Sequence, residues 1–168
     1  IGGWEEMAMK PTGEGNWIPN PEFAGKQIYP YVWNSLRENM DLGYKLANSG
    51  YPVILCNVTN FYFDLAHNKD PREPGLYWGG FVDTKDAFRF VPYDLFQSVV
   101  DDPNGEKITD EEIQKMEKLK PEAKKNIIGL QRQIWSETVK GRDMLEYAYL
   151  PEMLGLANCA WNGDPSWA

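Results

Sequence analysis

Four short apolar runs punctuate this chain, and each has the composition of a buried strand. Ile1 to Trp4 is the first. Gln27 to Trp33 is the second, where Ile28, Tyr29, Tyr31 and Val32 supply the β-branched and aromatic content strands favour and Pro30 is expected to distort the ladder. Pro52 to Val58 is an unbroken apolar run of the kind buried on both faces of a parallel sheet, and Asn126 to Trp135 carries Ile127, Ile128, Leu130 and Ile134. Between the strands the period changes. Leu36, Met40, Leu42 or Gly43, and Leu46 recur at helical steps over Leu36 to Ala47, and Gly50 supplies a stop. Thr109 followed by Asp110, Glu111 and Glu112 reads as an N-cap with an acidic first turn, opening a helix to about Leu119 that Pro121 interrupts. A last helix is expected from Arg142 to about Trp161, kinked at Pro151, with Leu145, Tyr149, Met153, Leu156 and Ala160 inward.

Two stretches read as irregular. Lys10 to Gly25 is rich in Pro and Gly and is expected to be a long loop. Thr59 to Lys107 is broken by Pro71, Pro74, Gly75, Gly79, Gly80, Pro92, Pro103 and Gly105. Its aromatic residues, Tyr77, Trp78, Phe81, Phe88, Phe90, Tyr93 and Phe96, argue for an ordered loop that packs over something. The resulting order is β, loop, β, α, β, long loop, α, β, α. Four parallel strands with right-handed crossovers would make half of an eight-stranded barrel.

The ends of the apolar runs carry the candidate chemistry. Trp4 is followed by Glu5 and Trp33 by Asn34, while Tyr62 and Asp64, like Trp135 and Glu137, stand two residues apart. Residues two apart on an extended segment face the same side, so a ring and a carboxylate would meet one ligand. A pyranose offers C–H bonds that stack on aromatic rings and hydroxyls that a carboxylate accepts from in pairs. Asp64 and Glu137 would serve equally as hydroxyl-binding groups or as a pair of glycosidase carboxylates, because sequence does not separate the two.

Bulk composition narrows the field. The 168 residues are 42% apolar, enough for the core of one domain and too few for two, so residues 1–168 are expected to form a single unit. A formal charge of −8 excludes nucleic acid as the natural partner, since that binding draws on Lys and Arg against phosphate. No apolar run approaches the roughly 20 residues that span a bilayer. Cys56 and Cys159 read as free buried thiols, His67 is the only histidine, and no cluster has metal-ligand spacing, so neither metal nor cofactor is expected. The chain opens Ile1-Gly2-Gly3-Trp4, already inside a strand, and its first residue is expected to be an excision point in a longer protein.

Taken in order, Gly3-Trp4-Glu5-Glu6, Val32-Trp33-Asn34, Val53-Ile54-Leu55 with Tyr62-Phe63-Asp64, Ile128-Gly129-Leu130 with Trp135-Ser136-Glu137, and the Leu150-Pro151 to Ala160-Trp161 tail resemble the catalytic domain of glycoside hydrolase family 20, the exo-acting β-N-acetylhexosaminidases. The resemblance implies a (β/α)₈ TIM barrel of which this chain is the C-terminal half, strands five to eight. It also implies substrate-assisted retaining hydrolysis of terminal N-acetylglucosamine or N-acetylgalactosamine from glycans. The acetamido oxygen attacks the anomeric carbon, a Glu protonates the leaving group, and the Asp before it orients the acetamido group. That Asp-Glu pair belongs to the fourth strand, ahead of Ile1. By position, Trp4, Trp33 and Trp135 wall the pocket, Tyr62 binds the acetamido oxygen, Asp64 and Glu137 bind sugar hydroxyls, and Trp78 meets the aglycone. Members of the family are often exported. The last helix departs from the family pattern, with Glu152, Asn158 and Cys159 where Arg, Glu and Arg are usual.

Two functions therefore compete: part of a hexosaminidase, inactive by itself, and a non-catalytic carbohydrate-binding or assembly module. Either way, a half-barrel would expose two unpaired strand edges. It is expected to self-associate or to pair with the missing N-terminal half.

Overall fold

The computed structural model describes residues 1–13, 15–97, 102 and 105–163. Four strands, β1 (Gly2–Trp4), β4 (Tyr29–Val32), β5 (Val53–Leu55) and β6 (Ile127–Leu130), form one sheet in the order β1-β4-β5-β6, and every neighbouring pair is parallel. All four apolar runs thus become adjacent strands, each shorter than its run. β4 runs through Pro30 without a break. Tyr31, opposite Ile54, is the first residue of β4 registered on β5, so the missing N–H of Pro30 falls where that ladder has not begun.

The stretch expected to be a loop from Lys10 to Gly25 instead holds an antiparallel hairpin, β2 (Met9–Gly13) and β3 (Asn16–Pro19). Pro11 and Gly13 read as loop residues, yet an edge hairpin tolerates both, and the register shifts between them. The helix expected from Leu36 is shorter. Leu36 is extended (φ −66°, ψ 160°) and a 3₁₀ turn (Arg37–Asn39), whose Arg37 pairs with Asp102, Glu106 and Glu112, precedes α1 (Leu42–Asn48). Gly50, at φ 92°, ends the helical segment as read.

The long irregular region is not irregular throughout. It contains α2 (Val58–Phe61) and α3 (Thr84–Arg89), and α3 opens on a reciprocal capping box between Asp83 and Asp86. An Asp at the third helical position, in place of the usual Glu, hid that signal. Residues 98–101, 103 and 104 of this region, Pro103 among them, lie outside the described residues. α4 (Asp110–Lys115) has the Thr109 cap expected of it, with Glu112 completing the box.

α5 (Arg142–Asn162) continues through Pro151; of the stripe expected inward, Leu156 is buried and Met153 packs against the core, but the ends of that stripe are not. Ala148, Glu152, Gly155, Leu156 and Cys159 are buried, whereas Leu145 and Ala160 are exposed. The reason is close packing of α5 on α3. A Cβ on Gly155 would lie 2.8 Å from the main chain of Ala87 and Phe88, so the small side of the helix, not its Leu side, sets the contact. Cys159 Sγ donates to the Ala87 carbonyl at 3.2 Å on the same face. Val53, Leu55, Leu46, Tyr44, Phe61 and Phe90 fill the core between sheet and helices. No helix among the described residues is long and apolar enough to cross a membrane.

Candidate functional site

At the carboxyl edge of the parallel sheet the chain leaves each strand and turns outward, and there the aromatic ends meet. Trp4, Trp33, Tyr62, Asp64, Leu76, Trp78, Trp135 and Glu137 line one cavity of about 340 Å³. That lies at the lower end of the size range of small-molecule sites. The seven residues to which the family resemblance gave roles line it, whereas Glu5 and Asn34 do not; Leu76 was missed, although it stands two residues before Trp78 and alternation could have found it.

The rings form a connected wall. Trp4 and Trp135 lie 6.3 Å apart between centroids, Tyr62 is 6.4 Å from Trp135 and 6.0 Å from Trp78, and Trp33 is 6.1 Å from Trp78. Trp4, Trp78 and Trp135 remain 38 to 51% exposed, so their faces are open to a ligand, whereas Tyr62 is buried to 4% and offers little beyond its polar end.

Two local arrangements deliver these side chains. After α2, the segment from Tyr62 is extended: Phe63 N–H donates to the Gln133 carbonyl at 3.0 Å and Gln133 N–H to Phe61 at 2.9 Å. Phe63 is thereby turned into the core while Tyr62 and Asp64 face the cavity. Trp135-Ser136-Glu137 was expected to close a strand, yet β6 ends at Leu130 and the carriers are irregular. The pairing of Gln133 with this segment keeps them in register all the same.

Asp64 is 5% exposed, and its Oδ1 has no hydrogen-bond partner among the described residues. Burial pushes its pKa up; the Trp135 backbone N–H opposes that, and the nearby Glu137 adds to it. The Tyr62 phenol is pushed well above its ordinary value by burial, with Cys56 and Glu5 adding to the effect, so it stays a proton donor at any working pH. A buried acceptor and a permanently protonated donor therefore face one aromatic-walled space, which suits a neutral polyhydroxyl ligand.

Glu5 and Asn34, expected to face the ligand beside their tryptophans, do not line the cavity. Glu5 is 3% exposed and accepts hydrogen bonds from the Trp33 and Asn34 amides, and the Asn34 side chain accepts from Leu36 N–H at 3.3 Å. Residue adjacency placed them near the site, but the turns after β1 and β4 rotate both inward.

Behind the cavity, the departing residue Glu152 of α5 is fully buried and accepts from Thr84 Oγ1 at 3.0 Å. His67 stands between two carboxylates, with Nε2 3.3 Å from Glu152 and Nδ1 3.4 Å from Glu73, and Tyr147 donates to Glu73 at 3.0 Å. The segment carrying Tyr62, Asp64, Leu76 and Trp78 is thus tied to α5. Among the described residues no group of His, Cys, Asp and Glu could hold a metal ion.

The sequence matches the profile described as glycosyl hydrolase family 20, catalytic domain, over residues 1–164. A beta-hexosaminidase of Vibrio vulnificus is 30% identical over 170 residues, covering 99% of this chain and 18% of the relative. An N,N'-diacetylchitobiase of Vibrio harveyi is 34% identical over 71% of this chain and 13% of its own length. The chain therefore spans less than a fifth of either. Among solved structures, an exo-β-N-acetylglucosaminidase of Vibrio harveyi in complex with N-acetylglucosamine superimposes with a TM-score of 0.61 at 23% identity, over 95% of this chain and 19% of that one. A Streptomyces plicatus N-acetyl-β-hexosaminidase gives 0.58 at 20% identity, over 99% of this chain and 26% of that one. These likenesses fix the fold: the parallel sheet is part of a (β/α)₈ barrel.

Proposed function

This chain belongs to glycosyl hydrolase family 20, within that family's catalytic domain, and from that premise we propose that the protein carrying it is an exo-β-N-acetylhexosaminidase. It would release terminal N-acetylglucosamine or N-acetylgalactosamine from glycans. The observation that carries the reading is the cavity in which three tryptophan walls, a buried phenol and two carboxylates converge from the segments that follow four parallel strands.

In this reading Trp4, Trp33 and Trp135 enclose the acetamido methyl and one sugar face. Asp64 and Glu137 accept from ring hydroxyls, and Trp78 meets the aglycone. The Tyr62 phenol donates to the acetamido oxygen, which attacks C1 as the bond from C1 to the aglycone oxygen breaks. A Glu outside this cavity gives its proton to the departing oxygen, and the Asp preceding it orients the acetamido N–H. Water then opens the oxazolinium ring at C1, returning its proton to the Glu, with net retention of configuration.

The test compares a chromogenic N-acetyl-β-glucosaminide with the matching β-glucoside, which lacks the internal nucleophile. Turnover of the first alone by the whole protein is the expected result, and equal turnover of both would overturn substrate assistance. The 168-residue chain by itself should leave both substrates intact; hydrolysis at the whole protein's rate would overturn the assignment of the acid to residues outside this cavity. A whole protein that binds N-acetylglucosamine and never hydrolyses would favour the non-catalytic binding module.

A further inference from the structure

Glu5 is a buried carboxylate beside the cavity that the proposed mechanism does not use. Its Oε2 accepts from Trp33 N–H at 3.1 Å and its Oε1 from Asn34 N–H at 3.2 Å. The reason lies in the ladder between β1 and β4. Tyr29 N–H donates to the Ile1 carbonyl at 2.9 Å, and Trp4 stands opposite Tyr31. A parallel ladder advances two residues at a time, so the next N–H on that edge belongs to Trp33. By then β1 has left the sheet for the 3₁₀ turn Glu5–Ala8, and its main chain no longer runs alongside. The Glu5 carboxylate takes the place of the missing carbonyl and holds one more amide besides. On the opposite flank the Trp33 carbonyl accepts from Val58 N–H at 2.9 Å, so the peptides on both sides of this indole are held.

We propose that Glu5 is a positioning residue: its carboxylate clamps the end of β4 to the end of β1 and so fixes Trp33 and Trp4, two walls of the cavity, at the spacing that grips the sugar. The second half of this statement rests on the hexosaminidase reading, whereas the first rests on geometry alone.

The clamp is built to respond to pH. The titratable groups facing Glu5 are Glu6 on its own turn, Cys56 beyond β5 and Tyr62 beyond α2, and among the described residues no cation pairs with it. Burial raises Glu5 to about 7, with the amide hydrogen bonds opposing that rise. The ionised form holds both amides with a full negative charge, and the neutral acid holds them more weakly. Grip on the sugar should therefore strengthen as pH rises through about 7.

The experiment uses the whole protein, labelled with ¹⁵N-tryptophan, as wild type, Glu5→Gln and Glu5→Asp. The wild-type Trp33 amide resonance should move with a midpoint near pH 7 and stay still in Glu5→Gln. KM for the chromogenic N-acetyl-β-glucosaminide should rise about tenfold in Glu5→Gln at pH 8, with kcat falling less and the pH dependence of KM lost; Glu5→Asp, which keeps the charge, should recover part of the affinity. A wild-type Trp33 resonance that stays still from about pH 4 to pH 9, a range that spans the ordinary and the raised Glu5 pKa, would overturn the clamp, and this arm needs no variant to fold. A titrating resonance with KM equal in wild type and Glu5→Gln would overturn the positioning role. Titration with no turnover by any form would sustain the clamp while removing the hexosaminidase reading.

Discussion

Asp64 and Tyr62 owe their chemistry to burial, and sequence spacing alone could not assign it. Both stood out because they lie two residues apart after an apolar run, but the pattern left Asp64 open as either a catalytic or a hydroxyl-binding carboxylate. In the structure Oδ1 is unpartnered among the described residues, the Trp135 amide steadies the group, and Glu137 stands near it in the same cavity, so the hydroxyl-binding role belongs to the proposed mechanism, in which the acid is a Glu outside the cavity. In the whole protein Tyr62→Phe should lower kcat by roughly 10²-fold with a smaller change in KM, since the lost hydrogen bond holds the acetamido oxygen in line for attack on C1; steady-state kinetics on the N-acetyl-β-glucosaminide would read this. Glu5 supplies a stability prediction of opposite sense to its grip. Its folded-state pKa lies above the ordinary value, so its contribution is complete below about 4.5 and is lost as pH rises toward about 7. Relative to Glu5→Gln, the wild type should lose on the order of 3 kcal/mol across that window, measured by urea unfolding at a series of pH values.

At the scale of elements, periodicity identified the strands, the capped helix and the middle of the buried face of α5, at Met153 and Leu156, but misplaced the ends of that face. Leucines at helical spacing suggested a buried stripe through Leu145, whereas the contact with α3 needs the smallest residues, and Gly155 and Cys159 supply them. The same packing brings Thr84 on α3 and His67 on the cavity-bearing segment to Oε1 of Glu152, a position where the sequence departs from the family pattern, while its buried Oε2 has no hydrogen-bond partner among the described residues. Those partners lie 68 and 85 positions away in sequence, and no local pattern announces them. Replacing His67 by Ala should strip Glu152 and Glu73 of the imidazole that stands between them and destabilise the fold by about 1 to 3 kcal/mol, seen as a lowered thermal midpoint. Because the segment from Tyr62 to Trp78 is tied there, the loss should also weaken N-acetylglucosamine binding; a variant with unchanged midpoint and affinity would show that the contact is idle.

At the scale of the whole molecule, the sheet presents β1 and β6 as its two outer strands, with no further strand paired to either among the described residues. Edges of this kind invite pairing. The 168-residue chain alone is therefore expected to associate with itself or with the rest of its barrel, and sedimentation velocity across a range of concentrations would show species larger than 19.3 kDa; a concentration-independent monomer would contradict it. What the sequence determined unaided is whatever depends on short range: the four apolar runs, the Thr109 cap, the stop at Gly50, and the pairing of rings with carboxylates two residues apart. Those follow from alternation, capping and turn chemistry, which act within a few residues. The tertiary structure decided what depends on groups brought together from afar. It joined Trp4, Trp33, Tyr62 and Trp135 around one space, turned Glu5 away from that space to hold a neighbouring strand, and chose the small side of α5 for the core, because burial and hydrogen-bond completion are settled by the packed neighbours and not by the local chain.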